Sequence, residues 1–292
     1  MDILKKNLDI TNLSNFKTRA FTRYYFELNY INDVDKIIDI VKFSKKNHLK
    51  ILFVGGGTNI LFSFEKFDGI VIKNNLNSWI YDKKNQILES LSGNSISDIA
   101  SILEKDDEQY LWHRFIGLPG SIGGAVFGNA GCFGLETENN FLEAKVLNLD
   151  NGKIEYLSKK QMNFSYRSSI LKETGKYFLI SVKFDLSKKI EKYPQKVDNI
   201  FFRENKQPKG NTCGSFFKNP SKDLSAGYLI EQVGLKGFKL GSAYFSDIHA
   251  NFLMSDDGGN YKDLLELISL AKTKVKKNHN IDLINEIRII TN

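Results

Sequence analysis

Two glycine-dense segments carry the residue types most suited to holding a ligand. The first, Gly55-Gly56-Gly57-Thr58-Asn59, directly follows a short apolar run. Glycine accepts positive φ and lets a ligand approach the main chain closely. Successive amides in such a turn form an anion-binding nest, for which a pyrophosphate is a natural guest. A glycine turn without any ligand has the same composition, so this segment alone leaves both readings open. It lacks the Gly-x-Gly-x-x-Gly that opens a helix in doubly wound dinucleotide folds, and no Gly-Lys-Ser/Thr follows to make a P-loop. The second segment is Gly117-Leu118-Pro119-Gly120-Ser121-Ile122-Gly123-Gly124-Ala125, followed by Asn129-Ala130-Gly131-Cys132-Phe133-Gly134. Two such loops beside apolar strands favour a dinucleotide, because small residues let a flat ring system or a pyrophosphate lie against backbone.

Other reactive residue types are less telling by themselves. Ser215, with Lys218 three positions on, reads as a loop serine, and Arg167 and Glu286 as members of surface ion pairs. His249 reads as a satisfied core histidine or as part of a ligand site. Cys132 and Cys213 are the only cysteines. Two cannot supply four zinc ligands, and they suggest neither a disulfide framework nor an oxidising compartment; they read as small buried residues rather than nucleophiles.

The elements that must position these residues follow from periodicity. Ile37, Ile38, Val41 and Phe43 predict a helix over 35–48, and 50–54 is a buried strand leading into the first glycine loop. A strand is expected over 69–73, and a hairpin pair over 79–82 and 87–91. A helix is expected over 95–103, with Ser95 as cap and Asp98 completing an acidic capping box. Asn151-Gly152 between the runs 145–149 and 153–157 predicts a type I′ hairpin, and 177–186 a further strand. Lys188, Lys189, Lys192 and Lys196 near Pro194 and Pro208 mark a change of character between 187 and 211, with a domain boundary in its later part. Beyond it come helices over 225–233 and 260–277, the second with Leu264, Leu267, Ile268, Ala271 and Val275 on one face, and a strand over 287–290.

Composition narrows the function classes. The chain has 292 residues and a net charge of +7. Its lysines are scattered rather than clustered, which argues against nucleic-acid binding and suits phosphate-bearing small molecules. No signal-like apolar core opens the chain and no run of about 18 uncharged apolar residues occurs, so a cytoplasmic protein off the membrane is expected.

Five segments together resemble the MurB family, the UDP-N-acetylenolpyruvoylglucosamine reductases. They are Val54-Gly55-Gly56-Gly57-Thr58-Asn59-Ile60-Leu61, residues 117–134, Tyr166-Arg167-Ser168-Ser169, Gly214-Ser215-Phe216-Phe217-Lys218-Asn219-Pro220, and Glu286 near the carboxyl end. The resemblance runs over roughly residues 30 to 292, and the short length is similar to the type II branch. Three positions depart from the family pattern: Thr18-Arg19-Ala20-Phe21-Thr22 lacks the glycines usual there, Cys213 replaces a common alanine, and Thr291 a common glycine.

The resemblance implies an α+β fold: a two-part FAD-binding domain of the vanillyl-alcohol-oxidase (PCMH) type plus a smaller α+β substrate-binding domain. The expected divisions are 1–75 and 76–205 for the two FAD-binding parts, 206–281 for the substrate domain, and 282–292 for a strand returning to the active site. The implied enzyme is a monomeric flavin oxidoreductase of peptidoglycan synthesis. With NADPH as hydride donor, it adds a hydride to C3 and a proton to C2 of the enolpyruvyl group of UDP-N-acetylenolpyruvoylglucosamine, giving UDP-N-acetylmuramate. Ser215 matches the family's proton donor, and Arg167 and Glu286 the residues that polarise the substrate carboxylate and assist enol formation. Tyr166, Lys218 and Asn219 match substrate contacts. Noncovalent FAD falls to Gly55, Gly56, Gly57, Thr58, Asn59, Gly117, Pro119, Gly120, Ser121, Gly123, Gly124, Asn129 and Ala130. Metal ligands are not expected. The rival readings are an FAD-dependent oxidase of the same fold class, which often attaches flavin through a Gly-Gly-x-His loop absent here, and a non-catalytic relative.

Overall fold

The computed structural model describes residues 3–187 and 198–292. The lysines at 188, 189, 192 and 196 and Pro194 lie outside the described residues. The chain forms two compact units, one from the described residues of 26–56 and 71–201, the other from 3–25, 57–70 and 202–292. Strands and helices are mixed in both, an α+β architecture as expected.

The first unit is built on a five-stranded antiparallel sheet in the order Ile154–Ser158, Phe141–Asn148, Tyr177–Asp185, Ile87–Leu91, Trp79–Asp82. The hairpin expected over 79–82 and 87–91 has those boundaries. One core joins the sheet to two helices, through Leu88, Val146 and Val182, Ile99 and Leu103 of Ile96–Asp107, and Val126 of Ile122–Gly128. Trp112 seals it, edge-on to Phe115 and Phe184. Ser95 caps the first of these helices, its hydroxyl accepting from the Asp98 amide at 3.3 Å. That helix continues one turn beyond Leu103 and stops where Glu108 adopts φ +54°.

Two local expectations need correcting. The helix Lys36–Lys46 buries Ile37, Ile40, Val41 and Ser44, the stripe that 3.6 residues per turn selects, while Ile38 and Phe43 flank it half-buried. The turn after Asn148 is not type I′, which needs positive φ at both central residues. Gly152 has φ +75° and Asn151 does not. The Asn148 amide donates to the Lys153 carbonyl at 2.9 Å, and the Asn148 side chain accepts from the Asp150 amide at 3.0 Å, which spreads the reversal over four residues.

The second unit carries an antiparallel sheet in the order Asn211–Ser215, Phe252–Ser255, Ala243–Phe245, Lys239–Leu240. The helix Tyr261–His279 packs on it and buries Leu264, Leu267, Ile268, Ala271 and Val275, the face read from the sequence. The helix Ala226–Gln232 starts at a Ser225 cap and is followed by Gly234 at φ +71°. The strand Arg288–Ile290 lies parallel to Ile60–Phe62.

Candidate active site

In the first unit, the strand Lys50–Val54 delivers Gly55 and Gly56 against the second glycine loop. A Cβ on Gly56 would lie 2.8 Å from Gly120 Cα and 3.3 Å from the Ser121 amide nitrogen, and one on Gly55 would overlap the Ser121 hydroxyl. The loops therefore meet backbone to backbone, and only glycine permits that approach. The Lys73 ammonium donates to the Gly55 carbonyl from the neighbouring strand Lys66–Asn74. Burial pushes its pKa down, and the charge of Glu27 opposes that. Lys73 was not among the sequence-predicted site residues, because nothing in its own strand marks it.

The helix that opens after Ser121 satisfies its own first turn. The Ile122 amide donates to the Asn94 carbonyl at 2.8 Å, Gly123 to the Ser92 carbonyl at 2.7 Å, and Gly124 to the Ser121 hydroxyl at 3.2 Å. Gly123 is small because a Cβ there would lie 2.8 Å from the Ser92 carbonyl, whereas one on Gly124 would make only an ordinary contact, 3.5 Å from the Ser121 hydroxyl. Gly117 has φ +77° and donates to the Ser97 hydroxyl at 2.7 Å; Pro119, between these loops' glycines, is exposed.

Asn129 ends the same helix at φ +43° and is fully buried. Its amide group donates to Glu138 Oε1 at 3.0 Å and the Ser165 carbonyl at 3.2 Å, and its side-chain oxygen accepts from the Glu138 amide at 3.1 Å. The Ala130 carbonyl accepts from both the amide and the hydroxyl of Thr137. These two residues anchor the loop that follows them.

That loop carries Arg167's partners. Arg167 sits at φ +60° in a tight turn closed by mutual backbone bonds between Ser165 and Ser168. Its guanidinium donates to the Gly131 carbonyl at 3.0 Å and reaches the Asn129 carbonyl at 3.5 Å, with Glu136 Oε1 at 3.6 Å. The half-exposed ring of Tyr166 lies 4.8 Å from it. Burial raises the Glu136 pKa and the Arg167 charge lowers it; the nearby Glu138 raises it again.

The second unit positions the remaining candidates. Gly57 has φ +71°, and a Cβ there would overlap the Leu13 carbonyl. The half-exposed Thr58 and the exposed Asn59 continue that loop. The Asn59 carbonyl accepts from the Arg288 amide at 3.1 Å, and its side chain donates to the Glu286 carbonyl at 3.4 Å. Ser215 ends its strand just after a register shift that begins at Thr212, with Gly214 at φ +82°. A bulge of this kind re-aims the following side chain. The next residues are zipped to the carboxyl-terminal segment: the Glu286 amide donates to the Phe216 carbonyl at 2.8 Å and the Lys218 amide to the Ile284 carbonyl at 2.8 Å. Ser215 and Glu286 thus stand on adjacent backbones, 71 positions apart in sequence by their numbers.

Asn251, buried, clamps this arrangement by accepting from the Phe217 amide at 3.0 Å and donating to the Phe217 carbonyl at 2.8 Å. Asn219 accepts from the Ala226 amide at 3.1 Å, at the start of the helix Ala226–Gln232. His249 is a partly buried imidazole whose Nδ1 accepts from the Asn251 amide at 3.2 Å, and burial lowers its pKa. Cys213 is half-buried, its thiol donating to the Ile60 carbonyl at 3.5 Å, and desolvation pushes the thiol up to about 12, which disfavours the nucleophilic thiolate. Among the described residues no group of three or more His, Cys, Asp and Glu is placed to hold a metal ion, and no helix is long and apolar enough to cross a membrane.

Known proteins match most of the chain. Residues 29–158 match the family described as an FAD binding domain, and residues 206–290 the family described as the C-terminal domain of UDP-N-acetylenolpyruvoylglucosamine reductase. The chain is 33% identical over 289 residues to the UDP-N-acetylenolpyruvoylglucosamine reductase of Aquifex aeolicus (strain VF5), covering 98% of this chain and 94% of that one. It is 34% identical over 262 residues to the enzyme of the same name from Bacillus subtilis (strain 168), covering 89% and 86%. Its fold superposes on the crystal structure of UDP-N-acetylenolpyruvylglucosamine reductase (MurB) from Thermus caldophilus with a TM-score of 0.75 at 21% identity, over 98% of this chain and 99% of the other.

Proposed function

Because the chain belongs to the UDP-N-acetylenolpyruvoylglucosamine reductase family, we propose that it reduces the enolpyruvyl group of UDP-N-acetylenolpyruvoylglucosamine to give UDP-N-acetylmuramate, with FAD as cofactor and NADPH as hydride donor. The protein is a flavin oxidoreductase of peptidoglycan synthesis, with the FAD-binding fold of the vanillyl-alcohol-oxidase type. A monomer in the cytoplasm, with a substrate-binding domain over 206–281, completes the reading. The observation that carries it is the pairing of the Ser215–Lys218 segment with Ile284–Ile287, which brings the proposed proton donor beside Glu286.

The residues present fit a noncovalent dinucleotide. Gly55 and Gly56 press on Gly120 and Ser121 with no Cβ between them, and 57–59 offers no histidine for attachment. Gly55, Gly56, Gly57, Thr58, Asn59, Gly117, Pro119, Gly120, Ser121, Gly123, Gly124, Asn129 and Ala130 would hold it. Of these, Asn129 and Gly123 act through the loop they brace, since their own polar groups or space are already taken. When bound, FAD supplies the hydride carrier between NADPH and the substrate double bond.

The chain's own residues then manage charge and a proton. As C3 gains hydride, negative charge develops toward the substrate carboxylate. Arg167, which cannot lose its proton, grips that carboxylate, and Glu286 assists enol formation. Ser215 gives its hydroxyl proton to C2. A serine hydroxyl is a weak acid, so the alkoxide it leaves must be stabilised or reprotonated by its surroundings. Gly214, lacking a side chain, allows the close approach this needs. Tyr166, Lys218 and Asn219 hold the UDP-sugar, Lys218 as a point charge for phosphate.

Lys218→Ala tests the substrate assignment. It is expected to raise the Michaelis constant for the UDP-sugar well beyond any loss of bound flavin, measured on the same preparation. Equal loss of both would make Lys218 a folding residue and remove its role in the reading.

A further inference from the structure

The geometry points to Glu136 as a positioning residue that sets how Arg167 presents its guanidinium to the substrate carboxylate. This rests on the role proposed above for Arg167. The two carbonyls that Arg167 reaches, of Asn129 and Gly131, fix its location but do not neutralise its charge; Glu136 Oε1, at 3.6 Å, supplies the opposite charge. The Arg167 side chain is only 19% exposed, so its charge is weakly screened.

The backbone is shaped to make this pairing. Gly131 and Glu136 face each other across a two-residue antiparallel ladder. A Cβ on Gly131 would lie 2.7 Å from Glu136 Cγ, so the absence of a side chain at 131 is what lets the glutamate lie across the strand. Glu136 is also the N-cap of the short helix Thr137–Asn140: its carboxylate accepts from the Asn139 backbone, and the Asn139 side chain accepts from the Glu136 amide at 2.7 Å. One carboxylate is thereby fixed to a helix end on one side and to a guanidinium on the other. The charged groups that face it are Arg167 from the 165–168 turn and Glu138 from its own helix, the latter with Lys159 at 4.0 Å. A carboxylate already held in place keeps a planar guanidinium at one angle, which a bidentate grip on a second carboxylate requires.

Glu136→Gln keeps the shape and the capping acceptor and removes only the charge. The test is equilibrium binding of two ligands to the FAD-loaded protein: UDP-N-acetylenolpyruvoylglucosamine, and UDP-N-acetylglucosamine, which lacks the carboxylate. The variant is expected to bind the first about tenfold more weakly, leave the second unchanged, and retain full flavin. A structural lesion would weaken both ligands together and overturn the inference, as would tighter binding of the first ligand, which would make Glu136 a competitor for Arg167. Arg167→Met, measured in parallel, separates the premises. If it abolishes the preference for the carboxylate ligand while Glu136→Gln leaves that preference intact, the inference alone fails; if Arg167→Met also leaves it intact, the role of Arg167 fails and takes the inference with it.

Discussion

Ser215→Ala is expected to leave reduction of the bound flavin by NADPH nearly intact and to slow its reoxidation by the enolpyruvyl substrate by roughly 10²–10⁴-fold, the usual contribution of a positioned acid. Only the second half-reaction requires a proton at C2. The substitution is a clean one, because it removes a single oxygen from a half-buried residue whose backbone is held independently. The ladder pairing Ser215 with Phe252, the Asn251 clamp on Phe217 and the Glu286 bond to Phe216 all run through main chain or other side chains. Stopped-flow traces of flavin absorbance resolve the two steps. Equal slowing of both, or unchanged reoxidation, would remove Ser215 as proton donor and shift that role to Glu286 or a bound water.

Gly56→Ala is expected to strip the protein of most of its flavin and to lower its stability by about 1–3 kcal/mol, the cost of forcing extra volume into a packed contact. The added Cβ would lie 2.8 Å from Gly120 Cα, so one of two backbones must move, and both belong to the proposed cofactor cradle. Gly128→Ala is the matched control. It lies in the helix Ile122–Gly128 with nothing within 4 Å of the new methyl, and is expected to be neutral or to gain about 0.5–1 kcal/mol from helix propensity. Thermal unfolding and the flavin released into the supernatant by acid precipitation read out both effects. In the unsubstituted protein acid should release all the flavin. A Gly56→Ala protein with full flavin and an unchanged melting temperature would remove the glycine contact from the cofactor site.

The parts of this site that were legible in the sequence are those whose physics is local. Glycine runs announce close backbone approach, Ser95 announces a helix start, and the stripe from Leu264 to Val275 announces a buried face. Composition marked the Gly55-Gly56 loop and the Gly120-Ser121 loop separately, but nothing in it announced that they touch each other. Residues whose meaning depends on distant partners stayed hidden. Lys73 matters because of a carbonyl 18 positions away, Asn251 because of a backbone 34 positions away, and Glu136 because of Arg167. No local pattern marks a lysine in a strand or an asparagine after a histidine as a clamp. Likewise, nothing in local composition announces that residues 3–25 and 57–70 group with 202–292 in one compact unit. The hairpin after Asn148 failed for a related reason: Asn-Gly favours type I′, but the Asn148 side chain accepts from the loop's own amides and holds a longer reversal.

The most direct test of the central claim is the visible spectrum of the purified protein during one cycle of reduction and reoxidation, performed without oxygen. Bound-flavin absorbance should be present at the start, bleach on addition of NADPH, and return on addition of UDP-N-acetylenolpyruvoylglucosamine. A protein without flavin absorbance, or a bleached flavin that oxygen restores and the enolpyruvyl substrate does not, would contradict the account.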